Sequence, residues 1–353
     1  MRILIITHKI PPYCGGAEHV AWYHAKYLGS NDDVHVMTLG DKGGTESRDG
    51  VTIHYLPNKR HVIRFYYSNG KSIIRKIFND INPDVIHEHM PGIFGYVLRN
   101  ESVVKVGTFH HGTEEQHIED THESPSSRIK RHFLWRGILK RFDAMTTVSR
   151  WHANYCSRQY GREVLFVPNG VDIQKYHVQD NVAPQKDTIL YFGRLKIRKG
   201  VDKLLETTKL LNNYKFLFTG SGHLSNKIRG NNVQYLGFVD DLVKTINDSS
   251  LCIFPSIWEN WPLVGLEAMA CGKPVIATPR GFSEYITHEE DGFIIPDNNP
   301  LTIKNAIVKL MGDDEYLLKM GKNARKTAEK YDWGQIVIRY RELYKKILEK
   351  SYP

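Results

Sequence analysis

The sequence predicts an α/β protein of two domains, each a parallel sheet flanked by helices. At 353 residues the chain is longer than one hydrophobic core usually serves. Short apolar runs alternate with longer helical patterns, and this happens in two successive series. Hydrophobic residues make up 41% of the chain and charged residues 25%, which is typical of a globular protein and excludes a disordered or collagen-like one.

Apolar runs in the first series predict seven strands. Each run is brief, rich in Val, Ile or Thr, and bounded by Gly, Pro, Asn or Asp. In chain order they are RILIIT, DVHVMTL, GVTIHYL, PDVIHEH, VVKVGTF, DAMTTVS and EVLFVP. With the stretches between them, which are long enough for helices, they predict an N-terminal domain over residues 1–177.

The second series predicts a C-terminal domain over residues 188–332. Its strands are TILYFG, KFLFTG, VQYLGFV, LCIFPS, KPVIAT and GFIIP. Residues 178–187 are polar, contain Pro184 and lack periodicity, so we expect the interdomain linker there. Residues 333–353 predict a terminal helix, and the sequence leaves open whether it packs back on the N-terminal domain.

Composition limits the location and partners of the protein. The four cysteines are scattered without C-x-x-C spacing, which argues against a disulfide framework and a structural zinc site and favours the cytoplasm. The first apolar run is too short for a signal peptide or a membrane span. A net charge of +9 favours anionic partners, although an ordinary basic surface is equally compatible with it. No recognised nucleic-acid-binding module is present, so we expect no nucleic-acid partner.

Two strand ends are suited to binding phosphate. Gly15 and Gly16 precede an amphipathic helix, where free N–H groups and the helix dipole favour an anion. Arg194 and Lys199 follow the first strand of the second series, at the edge where ligands of parallel sheets bind. Taken alone, each fragment is also compatible with a plain turn or with solvated surface charges.

A glutamate pair carries the most specific signal. A loop holding Glu259 should lead into a helix that begins about Pro262, since proline is tolerated in the first helical turn, and Glu267 then lies inside that helix. The N–H groups near Leu263 and Val264 would be available to a phosphate, and the carboxylates to sugar hydroxyls. Apolar neighbours predict that Glu267 is largely enclosed, which argues against a merely solvated position.

Six stretches of the chain occur in a characteristic order: GGAE at 15–18, TFH at 108–110, VPNGVD at 167–172, FGRL and KG within 192–200, GSG at 220–222, and E-x7-E at 259–267 followed by AMACGKPVIA. In order and spacing these motifs resemble glycosyltransferase family four over nearly the whole chain. The resemblance implies the GT-B fold, in which two Rossmann-like domains face a deep interdomain cleft. It assigns the acceptor to the N-terminal domain and a nucleotide-diphosphate sugar to the C-terminal one.

On the donor side, the resemblance implies a role for each matching residue. Arg194 and Lys199 would hold the diphosphate, and Gly16 would contribute backbone to the donor phosphate or acceptor region. Glu267 would bind the ribose hydroxyls, and Glu259 would contact the transferred hexose. Three residues after that glutamate, at positions 260–262, depart from the common family pattern, which puts the shape of the sugar pocket in doubt.

The resemblance also places His110 beside the transferred hexose. Together with Arg194, Lys199 and Glu259 it completes the predicted catalytic set. The predicted acceptor-side residues are Gly15, His89, His111 and Asn169. His110 is preferred over His111 because it closes the T-x-H pattern.

The implied reaction is a hexosyl transfer with retention of configuration, without a cofactor or a metal ion. The sequence contains no D-x-D, so the basic groups would take the place of a divalent ion. The histidines at 110, 111, 117 and 122 fit no familiar zinc spacing. His87 and His89, at the end of a strand, are compatible with the acceptor cleft and equally with structural roles.

Residues 121–145 mix basic and aromatic side chains. Such a segment suits a helix lying on an anionic membrane at the inner face of the plasma membrane, and equally a core-packed helix with a solvated basic face. The first alternative implies a lipid-linked or cell-envelope acceptor. A sugar-nucleotide epimerase of the same architecture and a non-enzymatic nucleic-acid-binding protein are the competing functions.

Overall fold

The computed structural model describes residues 1–12, 15–57, 70–89, 97–110, 137–179 and 184–351. The chain divides into two compact units, Met1–Asn169 with Trp333–Pro353, and Gly170–Asp332. His111 and most of the 121–145 segment lie outside the described residues. Within the described ranges, no helix is long and apolar enough to cross a membrane.

The first unit is an α/β domain built on an eight-stranded sheet. Its strands are β1 Arg2–Ile6, β2 Asp33–Gly40, β3 Gly44–Arg48, β4 Val51–Pro57, β5 Val85–His89, β6 Val104–Phe109, β7 Ala144–Thr147 and β8 Leu165–Phe166. The order is β3-β4-β2-β1-β5-β6-β7-β8, and every neighbouring pair is parallel except β3 with β4. All seven predicted runs form strands. The strand β3 was not predicted from apolar runs, because its residues are polar and mostly exposed.

In the described part of this unit, the longer helices between the strands are three, and another comes from the end of the chain. The first three are α1 Gly16–Leu28, α2 Lys71–Ile81 and α3 Arg150–Tyr160. Burial of the central strands on both faces explains their continuous apolar runs, since helices cover both sides of a parallel sheet.

The second unit contains a six-stranded sheet, parallel throughout, in the order β11-β10-β9-β12-β13-β14. Its strands are β9 Thr188–Phe192, β10 Lys215–Thr219, β11 Val233–Gly237, β12 Leu251–Phe254, β13 Val275–Ala277 and β14 Phe293–Ile294. Its helices of six or more residues are α4 Val201–Thr208, α5 Leu242–Asn247, α6 Leu263–Ala270, α7 Pro300–Met311 and α8 Asp314–Glu329, and a short helical turn covers Pro279–Phe282. Each of the predicted runs of the second series forms a strand.

The C-terminal helix α9, Trp333–Ser351, belongs to the first unit. Trp333 stacks on Tyr23 of α1, with ring centroids 6.0 Å apart. Tyr340 and Tyr344 are also buried in that unit. The helix therefore returns to the N-terminal domain, which the sequence left open.

The boundary between the units requires a correction. It falls after Asn169, earlier than the predicted linker at 178–187. The N–H of Val171 donates to the carbonyl of Tyr331 (2.8 Å), and the N–H of Gln179 donates to a side chain of α5 (3.0 Å). These hydrogen bonds hold the polar stretch in the second unit, and composition alone does not reveal them.

Candidate active site

The loops after β9, β10 and β12 bring most predicted donor-side residues together at the carboxyl edge of the second sheet. The N–H of Leu195 donates to the carbonyl of Ser221 (2.9 Å), which joins the loops after β9 and β10. The N–H of Ile257 donates to the carbonyl of Arg198 (2.9 Å), which joins the loops after β9 and β12. The predicted basic residues and the predicted loop glutamate are therefore held side by side.

Gly200 makes this approach of backbones feasible. Its φ is +70°, and a Cβ on it would lie 1.9 Å from the carbonyl oxygen of Pro255. Any other residue would both strain the backbone and push the two loops apart. The glycine thus fixes the single turn of 3-10 helix, Ile197–Lys199, against the end of β12.

Lys199 and Glu259 form an ion pair with a hydrogen bond from Nζ to Oε1. Their side chains are only 17% and 11% exposed. Burial lowers the pKa of Lys199, Arg194 and Arg198 add to this effect, and Glu259 opposes it. Arg194 itself is exposed. In the ligand-free protein the ammonium predicted to hold a diphosphate is therefore already engaged by the carboxylate predicted to hold a sugar.

Helix α6 begins as the sequence predicted. Pro262 is its N-cap residue, and no side chain caps the helix, so the first N–H groups, at Leu263 and Val264, have no intrahelical acceptor. The hydroxyl of Tyr285 donates to the carbonyl of Pro262 (2.7 Å) and so fixes the helix start from behind. A helix start with open N–H groups and a positive dipole end suits an anion.

Glu267 lies on α6 and is largely enclosed, as the sequence predicts. Burial raises the pKa of Glu267 to about 7, while nearby Lys175 and a hydrogen bond with the side chain of Tyr176 oppose the rise. Sequence reasoning missed Lys175 and Tyr176. They lie just after the VPNGVD stretch, and only the fold brings them to the glutamate.

The residues that depart from the family pattern hold the Glu259 loop in place. Asn260 and Trp261 are buried. The Trp261 ring contacts Tyr285 at 5.1 Å and Tyr331 at 5.2 Å between centroids. Within the second unit the indole therefore packs in the core and anchors the Glu259 loop.

A second contact holds this loop from the side of β13. The guanidinium of Arg280 lies 4.1 Å from the centre of the Trp258 ring. Gly281 has a φ of +81°, and a Cβ on it would lie 2.8 Å from backbone atoms of Glu259. Neither Arg280 nor Gly281 was predicted as a site residue from the sequence, because a lone arginine and glycine after a strand carry no specific signal.

The remaining predicted residues lie in the first unit. Gly15 and Gly16 are exposed at the start of α1, which has no side-chain cap, and a Cβ on Gly16 would meet nothing within 4 Å. Asn169 is buried at the last position of the first unit's N-terminal segment. His110 follows β6 and is 7% exposed. The exposed backbone of Gly15 and Gly16 is therefore open to a ligand.

His89 requires a correction to its predicted acceptor-side position. It is 2% exposed, with Nε2 2.9 Å from Nδ1 of His24 and Nδ1 2.6 Å from Nε2 of His110. Both ring nitrogens are engaged, so His89 supports His110 from inside the unit. The alternating His-x-His pattern suggested one lining face, but helices cover both faces of this strand.

The buried imidazoles of His24, His87 and His89 have ligand atoms within 4.8 Å of one another. His87 bonds Tyr344 through Nδ1 and Thr108 through Nε2 (2.6 Å). In the described part of the first unit, every ring nitrogen of the three therefore already takes part in a hydrogen bond. A zinc ion would need these bonds broken, so the cluster is better described as a hydrogen-bond network.

Comparison with known proteins shows to which family this chain belongs. The family model described as "Glycosyltransferase Family 4" matches residues 14–175, and that described as "Glycosyl transferases group 1" matches residues 172–327. An uncharacterised glycosyltransferase of Methanocaldococcus jannaschii is 31% identical over 99% of both chains. This chain belongs to glycosyltransferase family four. The family predicted from the motifs is confirmed.

Two further proteins are similar to this family-four chain. One is the N,N'-diacetylbacillosaminyl-diphospho-undecaprenol α-1,3-N-acetylgalactosaminyltransferase of Campylobacter jejuni, 28% identical over 47% of this chain and 46% of that protein. The other is the structure of HepE from Anabaena in complex with UDP and glucose, with a TM-score of 0.78, 19% identity, and coverage of 98% of this chain and 99% of that one. The structural likeness confirms the predicted GT-B fold.

Proposed function

We propose that this family-four chain is a retaining hexosyltransferase that moves a hexose from a UDP-sugar to a hydroxyl of a lipid-linked or cell-envelope glycan. The observation that carries the proposal is the convergence of two kinds of group at one sheet edge. Arg194, Lys199 and the start of α6 suit a diphosphate. Glu259 and Glu267 suit the hydroxyls of a sugar and a ribose.

The proposed mechanism is transfer on the face from which the nucleotide leaves. The acceptor oxygen bonds to the anomeric carbon as the bond from that carbon to the diphosphate oxygen breaks, and the departing phosphate oxygen takes the acceptor's proton. Arg194, Lys199 and the N–H groups of Leu263 and Val264 stabilise the charge that grows on the diphosphate. We propose that these groups take the role of a divalent ion and that the enzyme needs none.

The proposed substrates rest on the similar proteins. The Anabaena protein carries UDP and glucose in its structure, which supports a UDP-sugar here. The Campylobacter protein is named for an undecaprenol-diphosphate acceptor, which supports a lipid-linked acceptor. Gly15 and Gly16 lie in the unit proposed to bind that acceptor, and we propose that His110, in the same unit, contacts the transferred hexose.

A lipid-linked acceptor requires the enzyme to work at a membrane, and we propose the cytoplasmic face of the plasma membrane. The basic and aromatic residues of 121–145 supply the attraction. The protein should sediment with anionic liposomes at low salt and dissociate from them at high salt. It should not sediment with liposomes of neutral lipid. No sedimentation at low salt would remove membrane association from the proposal.

A thermal-shift screen of UDP, GDP and ADP tests the donor. A nucleotide present at about 100 times its Kd stabilises the folded state by about 2.7 kcal/mol, so UDP should raise the Tm by several degrees. A larger shift with GDP or ADP would replace UDP as the donor nucleotide. Conversion of the UDP-sugar to an epimer without any acceptor would contradict the transferase proposal in favour of an epimerase.

A further inference from the structure

A chain of hydrogen-bonded side chains crosses the interior of the first unit and ends at His110. Its members are Thr146, Thr108, His87, Tyr344, His24, His89 and His110. All seven are buried, and they come from β5, the β6 strand and the position after it, β7, α1 and α9. We call this set the histidine chain.

We propose that Tyr344, His24 and His89 are positioning residues that hold His110 in the tautomer protonated at Nε2. Its Nδ1 then carries a lone pair and accepts a hydrogen bond from a hydroxyl of the donor sugar. The role toward the sugar rests on the proposed function, whereas the tautomer follows from the histidine chain alone.

Five links of the chain are between 2.6 and 3.3 Å long, and the sixth joins His87 to Tyr344. Thr146 and Thr108 lie 2.6 Å apart between hydroxyl oxygens, and Thr108 lies 2.6 Å from Nε2 of His87. The hydroxyl of Tyr344 lies 3.3 Å from Nε2 of His24. The two histidine–histidine links, 2.9 Å and 2.6 Å long, complete the path to His110.

The imidazoles of His24, His87 and His89 are neutral, which makes the hydrogen bonds of the chain directional. Burial lowers the pKa of His24, His87 and His89 well below the usual value, and the mutual proximity of the rings adds to this. A neutral imidazole has one N–H donor and one acceptor nitrogen, and a hydroxyl has one proton to donate. Once one link is assigned a direction, every following link takes the same direction.

A backbone carbonyl assigns that direction, because it can only accept. The hydroxyl of Thr146 donates to the carbonyl of Gly107 (3.4 Å), so it must accept from Thr108. Thr108 has no second proton, so His87 donates to it from Nε2. Nδ1 of His87 then has the lone pair and accepts from Tyr344.

The same rule completes the path. Tyr344 has given its proton to His87, so it accepts from Nε2–H of His24. Nδ1 of His24 accepts from Nε2–H of His89, and Nδ1 of His89 accepts from Nε2–H of His110. With Nε2 as the donor, a neutral His110 carries its lone pair on Nδ1. Tyr340, whose hydroxyl reaches Thr108 and Thr146, can donate to either without altering this order.

The opposite direction would place a proton on Nδ1 of His110 and make that atom a donor. A sugar hydroxyl that acts as donor toward His110 would then lose its acceptor. The hydroxyl of Tyr344 on α9 thus transmits to His24, and through it to His110, the direction that is set at the Gly107 carbonyl.

The test is the tautomer of His110 in the ligand-free, full-length protein, read by long-range 1H–15N NMR of the imidazole rings and assigned with His110→Asn. We expect an unprotonated Nδ1 and a protonated Nε2 at neutral pH. A protonated Nδ1, or an imidazolium, overturns the proposal. The isosteric Thr146→Val removes the bond to Gly107 and should give a mixture of tautomers, and an unchanged tautomer overturns the assigned direction.

Tyr344→Phe tests the link to activity, with UDP-glucose as donor probe and water as acceptor. We expect kcat/KM for UDP-glucose hydrolysis to fall about tenfold, the equivalent of one net hydrogen bond, with the Kd for UDP unchanged. Tyr340→Phe, which removes a buried hydroxyl from the same helix but no chain member, should keep both the tautomer and kcat/KM. Equal losses in the two variants overturn the positioning role.

A wild type that neither binds UDP nor hydrolyses UDP-glucose refutes the proposed function, and the NMR result still decides the tautomer.

Discussion

Neutralising Glu259 should strengthen the binding of UDP while it weakens transfer. In the ligand-free protein Glu259 holds the ammonium of Lys199, and both side chains are largely shielded from water. A diphosphate that uses Lys199 must take it from the carboxylate. Glu259→Gln keeps the shape of the side chain and removes the competing charge.

The size of the effect follows from the pair that must be broken. A hydrogen bond to a charged group contributes about 1.5–3 kcal/mol, and a neutral amide acceptor contributes about 1 kcal/mol. The substitution therefore lowers the cost of releasing Lys199 by roughly 1.5 kcal/mol. Since about 1.4 kcal/mol is a factor of ten, the Kd for UDP should fall about tenfold.

Isothermal titration calorimetry measures the change in the Kd for UDP directly, and UDP-glucose hydrolysis measures the loss of the contact between Glu259 and the sugar. Glu206→Gln is the matched control, because Glu206 forms a solvent-exposed pair with Lys203 at 3.0 Å. That control should leave the Kd unchanged, since exposed pairs contribute little. A Kd for UDP that is unchanged or higher in Glu259→Gln would refute the competition between carboxylate and diphosphate.

Three further substitutions probe the same edge of the second sheet. Lys199→Ala should lower turnover about 100- to 1000-fold, by loss of charge stabilisation on the leaving diphosphate, whereas Lys203→Ala should not. Burial raises the pKa of Glu267 to about 7, and we propose that its ionised form accepts the ribose hydroxyls. UDP affinity should therefore rise between about pH 6 and about pH 8, and it should not change with pH over this range in Glu267→Gln. Gly281→Ala should displace the Glu259 loop and lower kcat/KM without unfolding the protein, as checked by circular dichroism.

Each of these expectations has a contradicting result. Unchanged turnover of Lys199→Ala would remove the ammonium from the mechanism. UDP affinity that falls with rising pH would mean that the protonated form of Glu267 binds the ribose. Full activity of Gly281→Ala would show that the loop tolerates the displacement.

The strands were predictable because their physical cause is local. Apolar runs bounded by turn residues mark buried parallel strands, and the described ranges contain a strand at every predicted run. The missed strand β3 carries no apolar pattern, yet the Asp49–Gly50 pair beside it signals a hairpin. Both residues have a positive φ, at 51° and 76°, as tight hairpin turns with Asp-Gly require.

The sequence named candidate site residues, but it did not predict the contacts between them. Motif order identified Lys199 and Glu259, but their ion pair depends on β9 lying beside β12 in the sheet. The contact of His24 with Tyr344 spans 320 positions of sequence and depends on α9 returning to the first unit. Such contacts come from chain topology, which local patterns do not encode.

The anomeric configuration of the product tests the central claim most directly. An α-configured UDP-hexose would be incubated with a lipid-linked acceptor, and the new glycosidic bond would be assigned by the coupling constant of its anomeric proton. Retaining transfer predicts an α-linked product. A β-linked product would contradict the front-face mechanism and the roles assigned here to Arg194, Lys199 and the start of α6.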